Sequence, residues 1–212
     1  MTAYTPPTQE VLRASISRDL HDPENRAFST TEVNDLINGG IAELNRLVPK
    51  ESKADVVLVA DTFTYAMSGL IDDIFRVELW RPNFAYQTLP RHNGDEMLSG
   101  WDYFNGVLIL PRGLFFDTDQ DTLTVWGYAE RDPLYDDSEV PDIDLDGEYV
   151  IRSYAQFTCF QRLIMSRALF QQWQTDANNT DVSATQLLGM AATYANEWRS
   201  LRSRVRRLRR PS

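Results

Sequence analysis

The chain has 212 residues, 42% of them hydrophobic, which is enough to bury a core of its own. Its formal net charge of −10 argues against general affinity for DNA phosphates, and no apolar run reaches the length of a membrane span. The single cysteine, Cys159, excludes an internal disulfide; its place in a helical apolar pattern marks a buried thiol rather than a nucleophile, compatible with a reducing cytoplasm.

The opening stretch MTAYTPPTQE lacks the charged-then-apolar layout of a signal peptide and reads as an extended arm. A first helix is expected over 8–20, with Leu12, Ile16 and Leu20 one turn apart. After the Asp22-Pro23 loop, Ser29 and Glu32 have the spacing of a capping box, in which each side chain satisfies a backbone N–H at the helix start. The second helix, 29–48, places Val33, Leu36, Ile37, Gly40, Ile41, Leu44, Leu47 and Val48 on one face. It ends where Pro49 pushes Val48 out of the α region. Gly39 and Gly40 each cost about 1 kcal/mol against Ala in helix propensity, so close packing of another helix or subunit is expected there.

Between 55 and 129 the period shortens. DVVLVAD, TFTYAMS, IFRVELW, FAYQTL, GVLILP and DTLTVWGYA are runs rich in β-branched and aromatic residues, separated by Gly, Pro, Asn and Asp. Uniformly apolar Val107 to Leu110 predicts a strand covered on both faces, whereas Thr122 to Trp126 alternates as a half-exposed strand does. Leu89 to Tyr103 reads as a long surface loop. The aromatics Phe75, Trp80, Phe84, Tyr86, Trp101, Tyr103 and Phe104 have few interleaved basic residues, which favours core and subunit packing over stacking on single-stranded nucleic acid.

An acidic connector, 130–148, holds nine acids in 19 residues and prolines at 133 and 141. A third helix is expected over 148–175, a turn at 176–181, and a fourth helix over 181–198. Leu187, Ala191, Tyr194, Trp198, Leu201, Val205 and Leu208 keep heptad spacing, the mark of a long helix lying along a partner helix. The first half of that stripe suits packing on the third helix. Residues 199–212 hold seven arginines and no acid, so this end is expected to project as a basic arm.

Asp142-Ile-Asp144-Leu-Asp146-Gly147 matches the start of a calcium loop, but the twelfth position is Ser153, where such loops need a bidentate Glu. The acids fit better as N-terminal charges favoured by the dipole of the following helix. Asp117, Asp119 and Asp121 face the same objection, with Thr122 where the loop needs Gly. His21 and His92 have no Cys or His at ligand spacing, no Ser sits in a nucleophile elbow, and no Gly-rich loop precedes a helix. No enzyme, cofactor or metal is expected.

The order of these elements resembles the head-to-tail adaptor (connector) proteins of tailed bacteriophages. The likeness is carried by Arg26 to Pro49, an aromatic-Ser/Thr segment opening a helix that closes on Leu-Val-Pro; by Phe75-Arg-Val-Glu-Leu; by Gly106 to Pro111; and by Val140 to Phe157. Where the family often has His before its third helix, this chain has Val150-Ile151-Arg152. The likeness spans nearly the whole chain through fold signatures of low specificity. It implies a non-enzymatic ring, of roughly twelve copies, between portal and tail. DNA would pass through its channel without specific binding, the ring sitting in the virion neck after assembly in the host cytoplasm.

The expected fold is α+β and mainly α. A four-helix core of two N-terminal and two long C-terminal helices forms one adaptor domain, 1–198, with a central antiparallel β-rich insert and an extended C-terminal arm, 199–212. The expected partners are the portal protein, further copies of the chain and a downstream tail or stopper protein, with no membrane. The residues expected to meet the portal or a neighbouring subunit are Trp198, Arg199, Leu201, Arg202, Val205, Arg206, Leu208 and Arg209. The alternatives are a nucleic-acid-binding module gripping phosphates with the arginine tail, or another neck or tail-completion protein.

Overall fold

A computed structural model describes residues 4–82, 84–92 and 100–208, with the side chains of 84, 85 and 205–208 excepted. Helices occupy 42% and strands 20% of the chain, an α+β fold in which antiparallel sheets lie between N-terminal and C-terminal helices. The chain forms two compact units, Met1–Val48 with Arg131–Ser212, and Pro49–Glu130.

The helical unit begins with α1 (Gln9–Asp19), capped by Thr8, and α2 (Thr30–Leu47). The capping box on α2 is complete: Glu32 N donates to Ser29 Oγ, and Ser29 N donates to Glu32 Oε2 at 2.9 Å. The stripe from Val33 to Leu47 is buried as its spacing requires, whereas Val48, placed on the same face by the spacing, is the C-cap and is exposed because the helix has ended there. Between the helices, buried Asp22 accepts the backbone N–H groups of Arg26, Ala27 and Phe28, each at 2.9 Å, and so organises the loop.

Among the described residues the β unit holds seven strands: β1 (Lys50–Val56), β2 (Thr64–Ala66), β3 (Asp73–Arg81), β4 (Phe84–Leu89), β5 (Asp102–Phe104), β6 (Val107–Ile109) and β7 (Thr122–Ala129). They form a four-stranded sheet, order β1-β7-β3-β4, and a three-stranded sheet, order β2-β6-β5, with every pairing antiparallel. Two strand expectations are corrected. Ile109 is exposed while Leu108 and Leu110 are buried, because β6 belongs to a small sheet with one covered face. On β7, Leu123, Thr124 and Val125 are all buried, because the strand is central and Thr124 Oγ1 donates to Asp55 Oδ1 across it. Of the expected 89–103 loop, residues 93–99 lie outside the described residues; Asp102 and Tyr103 belong to β5, and Trp101 just before it is buried and donates Nε1 to Leu89 O.

The chain returns to the helical unit at Arg131. Asn45 accepts from Arg131 N at 3.0 Å, and the Arg131 guanidinium donates to Val48 O at 2.6 Å, joining the points where the chain leaves and re-enters. Asn38 then exchanges two hydrogen bonds with the backbone of Leu134. The expected 148–175 helix is two helices, α3 (Leu145–Met165) and α4 (Arg167–Asp176). Ser166 ends the first and, with its Oγ accepting from Leu169 N, caps the second. The last helix, α5 (Ala184–Leu208), runs through position 198 without interruption, which removes the expected boundary there.

α3 is the centre of this unit. A Cβ on Gly40 would stand 2.9 Å from Ile151 Cα, and one on Gly39 would stand 2.9 Å from Tyr154 Cε1. The glycine pair therefore serves the close helix approach expected of it, with α3 as the neighbour. On its other side α3 stacks Phe160 on Tyr194 and Phe157 on Trp198.

Candidate functional site

The segment expected to meet a partner was the stripe on α5, and the structure divides it. Trp198 is 5% exposed and Leu201 4%, both within the helical core. Trp198 packs edge-on to Tyr154 and parallel to Phe157. The expectation that these two side chains wait for a foreign groove is corrected. Tyr154 and Phe157 of α3 close on Trp198, and Leu201 is buried in the same core. Arg202 is drawn inward too, with its Nε 3.2 Å from Glu43 on α2 and its guanidinium over the Trp198 ring.

Arg199 and Arg204 lie at the solvent-facing surface. Both are exposed; Arg199 donates to Asn196 Oδ1, and neither pairs with a carboxylate among the described residues. Val205, Arg206 and Leu208 continue the helix. Arg209 lies outside the described residues.

The level at which α5 leaves the bundle follows from its contacts. α2 and α3 run antiparallel, Gly40 meeting Ile151 and Leu44 meeting Gly147, and α3 and α5 run antiparallel as well. α5 is therefore parallel to α2, with Arg202 beside Glu43. Counting the same rise along both, Leu47, the last residue of α2, is level with position 206. Beyond that level α5 has passed the end of α2, while the stacks of Phe160 on Tyr194 and Phe157 on Trp198 keep it alongside the first turn of α3.

At the start of α3 lies the acidic connector. Asp144 is its N-cap, accepting from Gly147 N at 2.7 Å, the helix-starting role expected of the Asp142-Asp144-Asp146 motif. Asp137 is held well below the usual carboxylate range, foremost by the hydrogen bond from Arg13, at 2.5 Å. Tyr4 donates to Glu148 at 2.8 Å; burial, with this bond to a carboxylate, pushes its phenol upward. Asp117, Asp119 and Asp121 close their own turn, with Asp117 N donating to Asp121 and Asp119 N to Asp117. No group of three His, Cys, Asp or Glu among the described residues is placed to hold a metal ion. No helix among them is long and apolar enough to cross a membrane.

Burial pushes the Cys159 thiol up to about 12, which leaves it protonated and inert at neutral pH. His21 and His92 sit in different units. His92 borders an open cleft of about 860 Å³ on the β unit together with Asp61, Thr64, Asp102 and Arg112.

The aromatic set of the β unit splits as well. Trp101 is core and Tyr103 donates its hydroxyl to Ile71 O, whereas Tyr86 and Phe104 are exposed and Phe75 lies against Tyr128. Phe84's side chain lies outside the described set. Sequence reasoning did not single out Trp126, whose ring has Arg76 at 4.6 Å and Lys53 at 5.7 Å, with its Nε1 donating to Glu78. Nor did it single out Tyr135, Leu145 and Tyr149 as exposed apolar side chains among the connector acids.

Neither a family model nor a curated protein sequence matches the chain.

Proposed function

We propose that the chain is a structural component of a tailed-bacteriophage neck, a head-to-tail adaptor whose copies form a ring joining the portal to the tail. The observation that carries this reading is the order of elements along the chain. A β unit emerges between α2 and α3, and the chain's exit and return are held together by Asn45, Arg131 and Val48. This is the element order on which the family likeness rests. In this role the protein works by assembly rather than catalysis. Its partners are the portal, further copies of itself and a downstream tail or stopper protein. DNA passes through the channel, and the chain's net charge of −10 keeps phosphates from adhering. Imaging the particle neck should place the chain in a closed ring between portal and tail; finding it on the capsid surface or at the tail tip overturns the proposal.

A second reading, a nucleic-acid contact through the end of α5, is favoured by exposed Arg199 and Arg204 and by the absence of any acid over 199–212. Binding of DNA by the full chain, with a slope of log affinity against log salt near about −6 if all seven arginines neutralise phosphates, would support it.

A further inference from the structure

The segment from Asp132 to Tyr149 holds four large apolar side chains in water: Tyr135 is 83% exposed, Leu145 63%, Val140 52% and Tyr149 49%. Exposed Asp132, Asp136, Asp142, Asp144 and Asp146 are interleaved with them. The segment is tied down along its length. Asn38 holds Leu134, Gln9 N donates to Glu139 O at 2.9 Å, Glu10 N donates to Asp137 O, and Asp144 caps α3. A fixed backbone presenting apolar side chains outward has the character of an interface rather than of a loop short of a core.

The chain itself carries a complement to this surface. Residues 199–212 combine seven arginines with Val205 and Leu208, and by about position 206 this end of α5 has passed the end of α2. Within its own copy α5 runs along the face of α3 opposite Leu145. Leu145 stands nine residues from Tyr154, about 180° round α3 at 100° per residue, and Tyr154 is where α5 packs through Trp198. We infer that the arginine-bearing end of α5 docks on the 132–149 surface of a second copy, its arginines toward the aspartates and its remaining aliphatic side chains toward Leu145 and Tyr149. This rests on the ring reading above and names the joint. Nucleic acid is the poorer occupant of that surface, because the aspartates repel phosphates. Two different surfaces of one chain meet in this joint, so it is heterologous, the kind of contact that propagates head to tail and closes into rings.

The test uses the full chain and sedimentation velocity across salt concentrations. Self-association should weaken as salt rises. Asp132→Lys with Asp146→Lys should lower it about tenfold, and Arg204→Glu with Arg206→Glu and Arg207→Glu should do the same. Mixing the two charge-reversed proteins should restore association to within about threefold of the original, which a misfolded variant does not do. Leu145→Ser with Tyr149→Ser, at exposed sites that leave the core intact, should also weaken association. A chain that stays monomeric at low salt overturns the joint, as does association indifferent to both reversals. In the latter case the ring reading stands, since neck imaging decides it independently. A tail that binds DNA equally well before and after the connector reversal, with self-association unchanged, overturns the joint in favour of the nucleic-acid contact.

Discussion

The two units solve the same problem by opposite routes. The β unit is one continuous stretch, Pro49–Glu130, whereas the helical unit is assembled from the two ends of the chain. Yet each is organised round an element that arrives late. β1 and β3 do not pair with each other; β7, the last strand made, lies between them and completes the sheet. α3 does the same for the helices, meeting α1, α2, α4 and α5. The difference is in what fastens the edges. Antiparallel strands satisfy one another's backbone groups directly. The helical unit instead joins distant segments through single side chains: Trp173 Nε1 to Leu20 O, Arg152 to Asp19, and Asn38 to Leu134.

Removing such a fastener should have the largest effect. Trp173 is fully buried, lies edge-on to Phe160, and links α4 to the end of α1. Trp173→Ala should cost about 3–5 kcal/mol by denaturant unfolding. Trp198→Ala should fall in the same range, while Arg199→Ala and Arg204→Ala change stability by less than about 0.5 kcal/mol. Equal effects at 198 and 199 would mean that Trp198 is not a core residue.

Asp22→Ala should follow, at about 3 kcal/mol, because three buried or partly buried N–H groups lose their acceptor together. Asp22→Asn keeps one carbonyl acceptor and should lose less. A loss below about 1 kcal/mol for the Ala variant would show that the loop finds other partners.

In the β unit the comparable weak point is steric. A Cβ on Gly127 would collide with Asp73 O and Ile71 Cγ2, beside the register shift between Ile74 and Arg76. Gly127→Ala should cost about 1–3 kcal/mol, and Gly69→Ala, with open space but positive φ, somewhat less. The two substitutions distinguish crowding from backbone strain.

What could be read in advance divides along the same line. The faces of α1 and α2 were legible because a helix contacts its surroundings at a period written into its own residues: Leu12, Ile16 and Leu20, or Val33 to Leu47. The burial of β7 was not, because a strand's position in the sheet is set by partners about fifty and seventy residues away, in β3 and β1. The α3–α4 break lacks proline and glycine; only Ser166, a capping residue inside an apolar stretch, signalled it. At the candidate site, the heptad stripe on α5 was legible but its destination was not. Trp198 meets its own chain because Tyr154 and Phe157 on α3 close on it, a pairing set by packing between distant segments and not by the period of α5 itself. The exposure of Leu145 and Tyr149 follows from the same geometry and could not be read from hydropathy alone.

The smallest expected effect sharpens the comparison through pH. The start of α2 depends on a charged side chain: Glu32 accepts from both Ser29 Oγ, at 2.8 Å, and Ser29 N. These two bonds, the side-chain one first, hold the Glu32 carboxyl below its ordinary value. The folded state therefore favours the ionised form. The stabilisation is complete above the unfolded pKa and is lost as pH falls through the lower folded value. Glu32→Gln should cost about 0.5–1 kcal/mol near neutral pH, measured as a shift in denaturant midpoint at constant slope. As pH drops through and below the carboxylate range the wild-type protein should approach the variant, until the two unfold together. A gap that stays constant into acid would show that the Ser29–Glu32 pair acts through shape rather than charge.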